Sequence, residues 1–187
     1  MTEVEKLENL LRWHAVALEA VIKTPPLCHH ISKKWNVRQD LWPDSNFREQ
    51  NYDLPAIVAS LSGRKALLHA VAIQQTVEQL PRGRAHSISM PSSLFAASSI
   101  YGLFSFVGQH NVRMPSSIEW ADVVLAESDL HIENETGQYI QSNRLTAGST
   151  SRNVLYELNS VQKLFRSLAT QWGISSVSIL QILLDSF

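Results

Sequence analysis

The chain has 187 residues, with 16 Lys+Arg against 17 Asp+Glu, a formal net charge of −1 and one cysteine. With 18% charged and 44% hydrophobic residues, it is not a strongly basic nucleic-acid module, because neutralising phosphates takes a surplus of Lys and Arg. The lone Cys28 excludes an intramolecular disulfide and zinc modules built on several thiolates, and no uninterrupted apolar run reaches the roughly 18 residues of a membrane span.

The opening stretch, MTEVEKLENLLRWH, is acidic and amphipathic, unlike a signal or transit peptide. The expected setting is therefore reduced and intracellular: cytoplasmic, or nuclear for a regulator. The length suits one domain, 1–187.

Residues 3–23 predict the first helix. Val4, Leu7, Leu11, His14, Leu18 and Val21 recur at steps of three and four, and Thr24-Pro25-Pro26 stops the helix. Residues 27–53, with Cys28, His29, His30, Trp35, Trp42, Phe47 and Tyr52, read as an irregular aromatic segment, long for a compact domain. Asp53 is a candidate N-cap for a short helix from Leu54 to Leu61 ended by Gly63. A third helix runs from about Arg64 to Leu80, apolar nearly all round between Ala66 and Ile73 except at His69, and therefore central.

SLFAASSIYGLFSFVG, opening after Pro91, is the second all-round apolar helix. Ser116-Ser117-Ile118-Glu119 has capping-box spacing and predicts a helix over Ile118 to Ala126. The polar stretch 128–150 reads as a flexible loop with a weak hairpin near Glu135-Thr136-Gly137. Val154, Leu158, Val161, Phe165, Leu168 and Trp172 form the cleanest stripe, stopped by Gly173, and a last helix covers about Ser176 to Ser186. The fold expected is all-α: a single compact domain of six or seven helices with a buried central pair.

Three segments carry a resemblance: SLFAASSIYGLFSFVG followed by VRMPSSIEWADVV, then RNVLYELNSVQKLFRSLATQWGIS, and LPAIVASLSGRKALLHAVA. Together they span about half the chain, and they resemble the C-terminal half of the helical regulatory region of fungal zinc-finger and zinc-cluster transcription factors. Those regulators carry a DNA-binding zinc module upstream. This chain opens at Met1 with a helix of its own and has no cysteine pattern for zinc, so the resemblance implies a regulator's helical body without its DNA reader. Fold likeness does not carry function across such a loss.

His14 occupies a stripe position suited to Leu or Val, so its imidazole points inward and must meet a partner, a water or a ligand. A hydrogen bond to a backbone carbonyl is the plainer alternative to a pocket role. His69 poses the same question, with Gln74 and Gln75 following it. If both histidines face one cavity, they supply the donor–acceptor pair needed for general acid–base work. Tyr101, near Ser98 and Ser99, either donates to a substrate oxygen or ties two helices together. Candidate catalytic residues are thus His14, His69 and Tyr101; candidate substrate contacts are Trp13, Trp35, Trp42, Gln74 and Phe104.

Three consecutive side chains rarely converge on one ion, so Cys28-His29-His30 is not read as a metal site, and no cofactor is expected. Two functions remain open. One is a stand-alone pocket protein, of fungal specialised metabolism as the resemblance implies: a cofactor-free cyclase or isomerase of pericyclase or Diels–Alderase type for an apolar, terpenoid- or polyketide-like substrate with a carbonyl. The other is a non-enzymatic module that binds an effector or dimerises.

Overall fold

A computed structural model describes residues 1–23, 27, 52–81, 89–108, 111–120, 123, 134–145, 147–148 and 150–169. The architecture is all-α, with six helices and a small two-stranded sheet among the described residues.

Helix α1, Glu3–Val21, starts where Thr2 Oγ1 accepts from the Glu5 N–H (3.2 Å) and Glu5 Oε2 accepts from the Thr2 N–H (2.6 Å). Glu3 and Glu5 also place negative charge against the positive end of the helix dipole. Leu11, His14 and Leu18 are its buried face, as the stripe predicts.

Asp53 caps α2, Leu54–Ala59, accepting from the Ala56 N–H at 3.0 Å. Helix α3, Leu61–Gln79, follows at once, so Gly63 lies in its first turn and does not stop the helix before it. The corner belongs to Ser60, whose hydroxyl accepts from the Gly63 N–H (2.9 Å) and donates to the Ile57 carbonyl (2.7 Å). A Cβ on residue 63 would stand 2.0 Å from that same Ile57 oxygen, so only glycine lets the two helices meet this closely.

Helix α3 is central: residues 66–74 are all buried, and it packs on α1 above all, then on α4, Ser89–Val107. The second all-round apolar helix thus begins at Ser89, ahead of the stretch named from sequence. Its serines are tolerated inside because Ser98 Oγ donates to the Leu94 carbonyl (2.8 Å) and Ser99 Oγ to that of Phe95 (2.9 Å). On α3, Thr76 does the same to Ala72 (2.7 Å).

Strands β1, Arg113–Pro115, and β2, Ser151–Asn153, pair antiparallel, with Met114 opposite Arg152. This sheet was not expected. It fixes the start of α6, Val154–Ala169, where Asn153 Oδ1 accepts from the Leu155 N–H at 2.9 Å.

Two local readings are overturned. The expected hairpin near Glu135 is helix α5, Glu135–Ser142, so 128–150 is not one flexible loop. Asn134 Oδ1 caps α5 by accepting from the Gly137 N–H (2.9 Å), Thr136, Tyr139 and Ile140 face inward at steps of three and four, and Asn143 ends it in the left-handed region at φ 57°. The capping box at Ser116 does not form either. Ser116 Oγ donates to the Thr150 carbonyl (2.6 Å), and the Glu119 N–H is taken by Thr136 Oγ1 (3.0 Å). Tertiary partners win both groups. Of the helix expected over Ile118 to Ala126, Ile118 and Glu119 are not helical, Trp120 and Val123 are, and the rest lies outside the described residues.

On α6, Val154, Leu158 and Val161 are buried; the side chains of Phe165 and Leu168, then Trp172, Gly173 and the last expected helix, lie outside the described residues. No helix among the described residues is long and apolar enough to cross a membrane.

Candidate functional site

The packing of α1 on α3 decides what becomes of the two inward histidines. His14 Nδ1 and His69 Nδ1 lie 3.1 Å apart, in rings that are 1% and 3% exposed. The partner His14 requires is therefore a second imidazole, not a backbone carbonyl. Trp13 stands edge-on to both rings, at centroid distances of 4.6 Å from His14 and 5.6 Å from His69. Trp120 packs edge-on against His14 at 4.5 Å and stacks on His69 at 5.9 Å. Two indoles thus wall two imidazoles.

Burial disfavours the imidazolium in both rings. It lowers the pKa of His14 to about 3, with His69 adding to the effect, and that of His69 to about 4, with Lys65 adding to it. Both rings are neutral near pH 7.

One Nδ1–H must then lie between them, and this fixes opposite tautomers. The ring that donates through Nδ1 keeps a lone pair on Nε2, whereas the ring that accepts carries its proton on Nε2. The pair thereby offers one proton acceptor and one proton donor while staying neutral.

Tyr101 and Gln74 belong to a different polar centre. Gln74 Nε2 donates to Glu157 Oε2 and to Glu78 Oε1, each at 3.0 Å, and Arg152 Nη1 donates to Glu157 Oε1 at 3.3 Å. Tyr101 is completely buried, and its hydroxyl has no hydrogen-bond partner among the described residues, so it does not tie helices together through that oxygen. Its pKa is raised well above the ordinary value, first by burial and then by Glu157. Phe104 is buried in the core. Trp35 and Trp42, like Cys28, His29 and His30, lie outside the described residues.

Sequence reasoning missed Trp120, Glu157 and Arg152. Glu157 was the findable one, since it follows Val154 by three on the inward side of α6. Nothing in the spacing ties Trp120 to the histidines, because the contact joins segments far apart in the chain. Among the described residues, no group of three or more His, Cys, Asp or Glu could hold a metal ion.

No protein-family model, no curated protein and no solved structure matches this chain.

Proposed function

We propose that this chain is a small-molecule pocket protein of fungal specialised metabolism, a cofactor-free isomerase or cyclase acting on an apolar, terpenoid- or polyketide-like substrate that carries a carbonyl. The regulator-like segments supply the fungal context of the reading, and the observation that carries its chemistry is the buried His14–His69 pair. Fixed opposite tautomers favour a proton shift over a purely pericyclic step.

The basic Nε2 takes a proton from the carbon next to the carbonyl. The same ring's Nδ1–H passes to the partner's Nδ1, and the partner's Nε2–H goes to the carbonyl oxygen, giving the enol. Return of a proton to the far carbon of a conjugated enol, by the reverse passage, completes an isomerisation. Each ring alone is a poor base at so low a pKa, but concerted transfer never leaves the pair charged, and any imidazolium character that develops on His69 meets the stacked ring of Trp120. Trp13, 44% exposed, is the wall through which a substrate would reach the pair.

The test is deuterium wash-in from D2O at the carbons conjugated to the carbonyl of β-ionone, an apolar enone, followed by proton NMR. The wild type should exceed buffer, and His14→Phe and His69→Phe should each lose about 100-fold or more of that excess, the scale of general acid–base catalysis. Equal rates for buffer, wild type and variants would leave the pair as an internal hydrogen bond only.

A second reading, a module that self-associates, is supported by the solvent face of α1, where Leu10, Trp13 and the 70%-exposed Val16 form an apolar ridge. It predicts a mass that rises with concentration in size-exclusion chromatography with light scattering and stays monomeric in Val16→Lys. A strict monomer at near-millimolar wild type excludes it.

A further inference from the structure

Helices α3 and α6 join Gln74 to Glu157 in a buried polar centre that the histidine chemistry does not use, and Tyr101 on α4 feels the charge of Glu157. Two atoms there are anomalous. Gln74 Oε1 and the Tyr101 hydroxyl are buried without a hydrogen-bond partner among the described residues, in side chains 2% and 0% exposed. Buried polar atoms nearly always have a partner, so both orphans need an explanation.

Turning the amide over does not remove the anomaly. Gln74 Nε2 is held by two carboxylate oxygens, of Glu157 and of Glu78. A flipped amide would set its oxygen against both, so Oε1 is fixed as an acceptor without a donor. Glu157 is likewise engaged on both oxygens, by Gln74 and by Arg152. Tyr101 feels Glu157, Glu78 and Arg152 electrostatically. The centre therefore holds two carboxylates against one guanidinium, with an amide oxygen and a phenol oxygen left to accept. Its chemistry asks for a donor, and its charge tolerates a positive one.

We propose that Gln74, Tyr101 and Glu157 form an internal binding position for a compact hydrogen-bond donor, the N–H of a small ammonium ion or the O–H of a water molecule. The donor serves Gln74 Oε1 and the Tyr101 oxygen together. An anion or an apolar group satisfies neither oxygen and is disfavoured there. The proposal is independent of the isomerase reading and concerns a different part of α3.

Tyr101→Phe is the decisive variant, because the hydroxyl has no protein partner to lose. If an occupant bonds it, the variant melts lower than the wild type, by about 2–4 °C for a chain of this length. If the hydroxyl is merely unsatisfied, deleting it leaves the melting temperature unchanged or raises it, and that result overturns the proposal whatever the salts do. Melting temperatures are then titrated with ammonium and methylammonium chloride, against tetramethylammonium chloride at equal ionic strength. A rise with the two donors in the wild type, absent with tetramethylammonium and absent in Tyr101→Phe, identifies an ammonium occupant. A flat titration with the variant still melting lower identifies water.

Discussion

Acidification from pH 7.5 to pH 4.5 is expected to destabilise the fold by about 2.5 kcal/mol for each of His14 and His69, or about 5 kcal/mol together. The sign follows from where protons bind. Unfolded, each imidazole titrates near its ordinary 6.5; folded, burial holds His14 to about 3 and His69 to about 4. Between these values the unfolded chain carries protons that the folded chain does not, so stability falls as pH falls. It stops falling from this source once the folded rings protonate too. The slope approaches 1.4 kcal/mol per pH unit per histidine, roughly, at the middle of the window.

Urea midpoints of the wild type and of a His14→Leu/His69→Phe double variant, measured across this range, isolate the pair. The double variant should lose the slope between pH 6.5 and 4.5, while any carboxylate contribution common to both proteins cancels. It should also be more stable near neutrality than His14→Leu alone. The single change leaves a buried Nδ1 without its partner, at a cost of about 1–3 kcal/mol, whereas removing both ends leaves nothing unsatisfied. Superimposable pH profiles would show that the rings protonate freely in the folded state, contrary to their burial.

What was legible beforehand sorts by range. Apolar stripes placed α1 and α6, and all-round apolar runs placed α3 and α4, because neither signal needs knowledge of a partner. The same logic marked His14 and His69 as polar groups turned inward. That they face each other is a property of how α1 lies on α3, and no spacing within either helix encodes it.

Failures came where local signals were short. Asn134-Glu135-Thr136-Gly137 reads as a turn, yet Asn134 caps a short helix whose buried residues are Thr136, Gly137, Tyr139 and Ile140. Ser116 and Glu119 carried a good capping signature and were drawn off by Thr150 and Thr136. Tyr101 was grouped with the histidines as a candidate catalytic residue because it shares their oddity, a polar group in an apolar helix. Its neighbour is in fact Glu157, reached through α6.

The helix missed from sequence is held by a residue that sequence also underrated. Arg64, 7% exposed, sits in the first half of α3 and aims its guanidinium at two helix C-termini. Nε donates to the Ile140 carbonyl (2.6 Å) and Nη2 to that of Gln141 (3.2 Å), both in the last turn of α5, while Nη1 donates to the Ala59 carbonyl (2.5 Å) at the end of α2. Carbonyls in a last turn lack intrahelical donors and carry the negative end of the helix dipole. One cation thus satisfies three acceptors, while burial lowers its pKa and Tyr139 opposes that.

Arg64→Met removes the charge and leaves three carbonyls without that donor, the one of Ile140 buried and those of Ala59 and Gln141 half-buried. At about 1.5 kcal/mol or more for each charge-assisted bond, and with the loss shared among neighbours, the expected destabilisation is about 3–5 kcal/mol. Arg64→Lys should recover little, because a point ammonium cannot reach three carbonyls that a planar fork meets at once. Chemical denaturation gives both values. Amide exchange places the damage: protection should fall first across Glu135–Ser142 and at the α2 end, with α1 and the histidine pair retained. Uniform loss of protection, or a lysine variant as stable as the wild type, would mean that Arg64 acts through its charge alone and not as the clasp of α5 and α2 on α3.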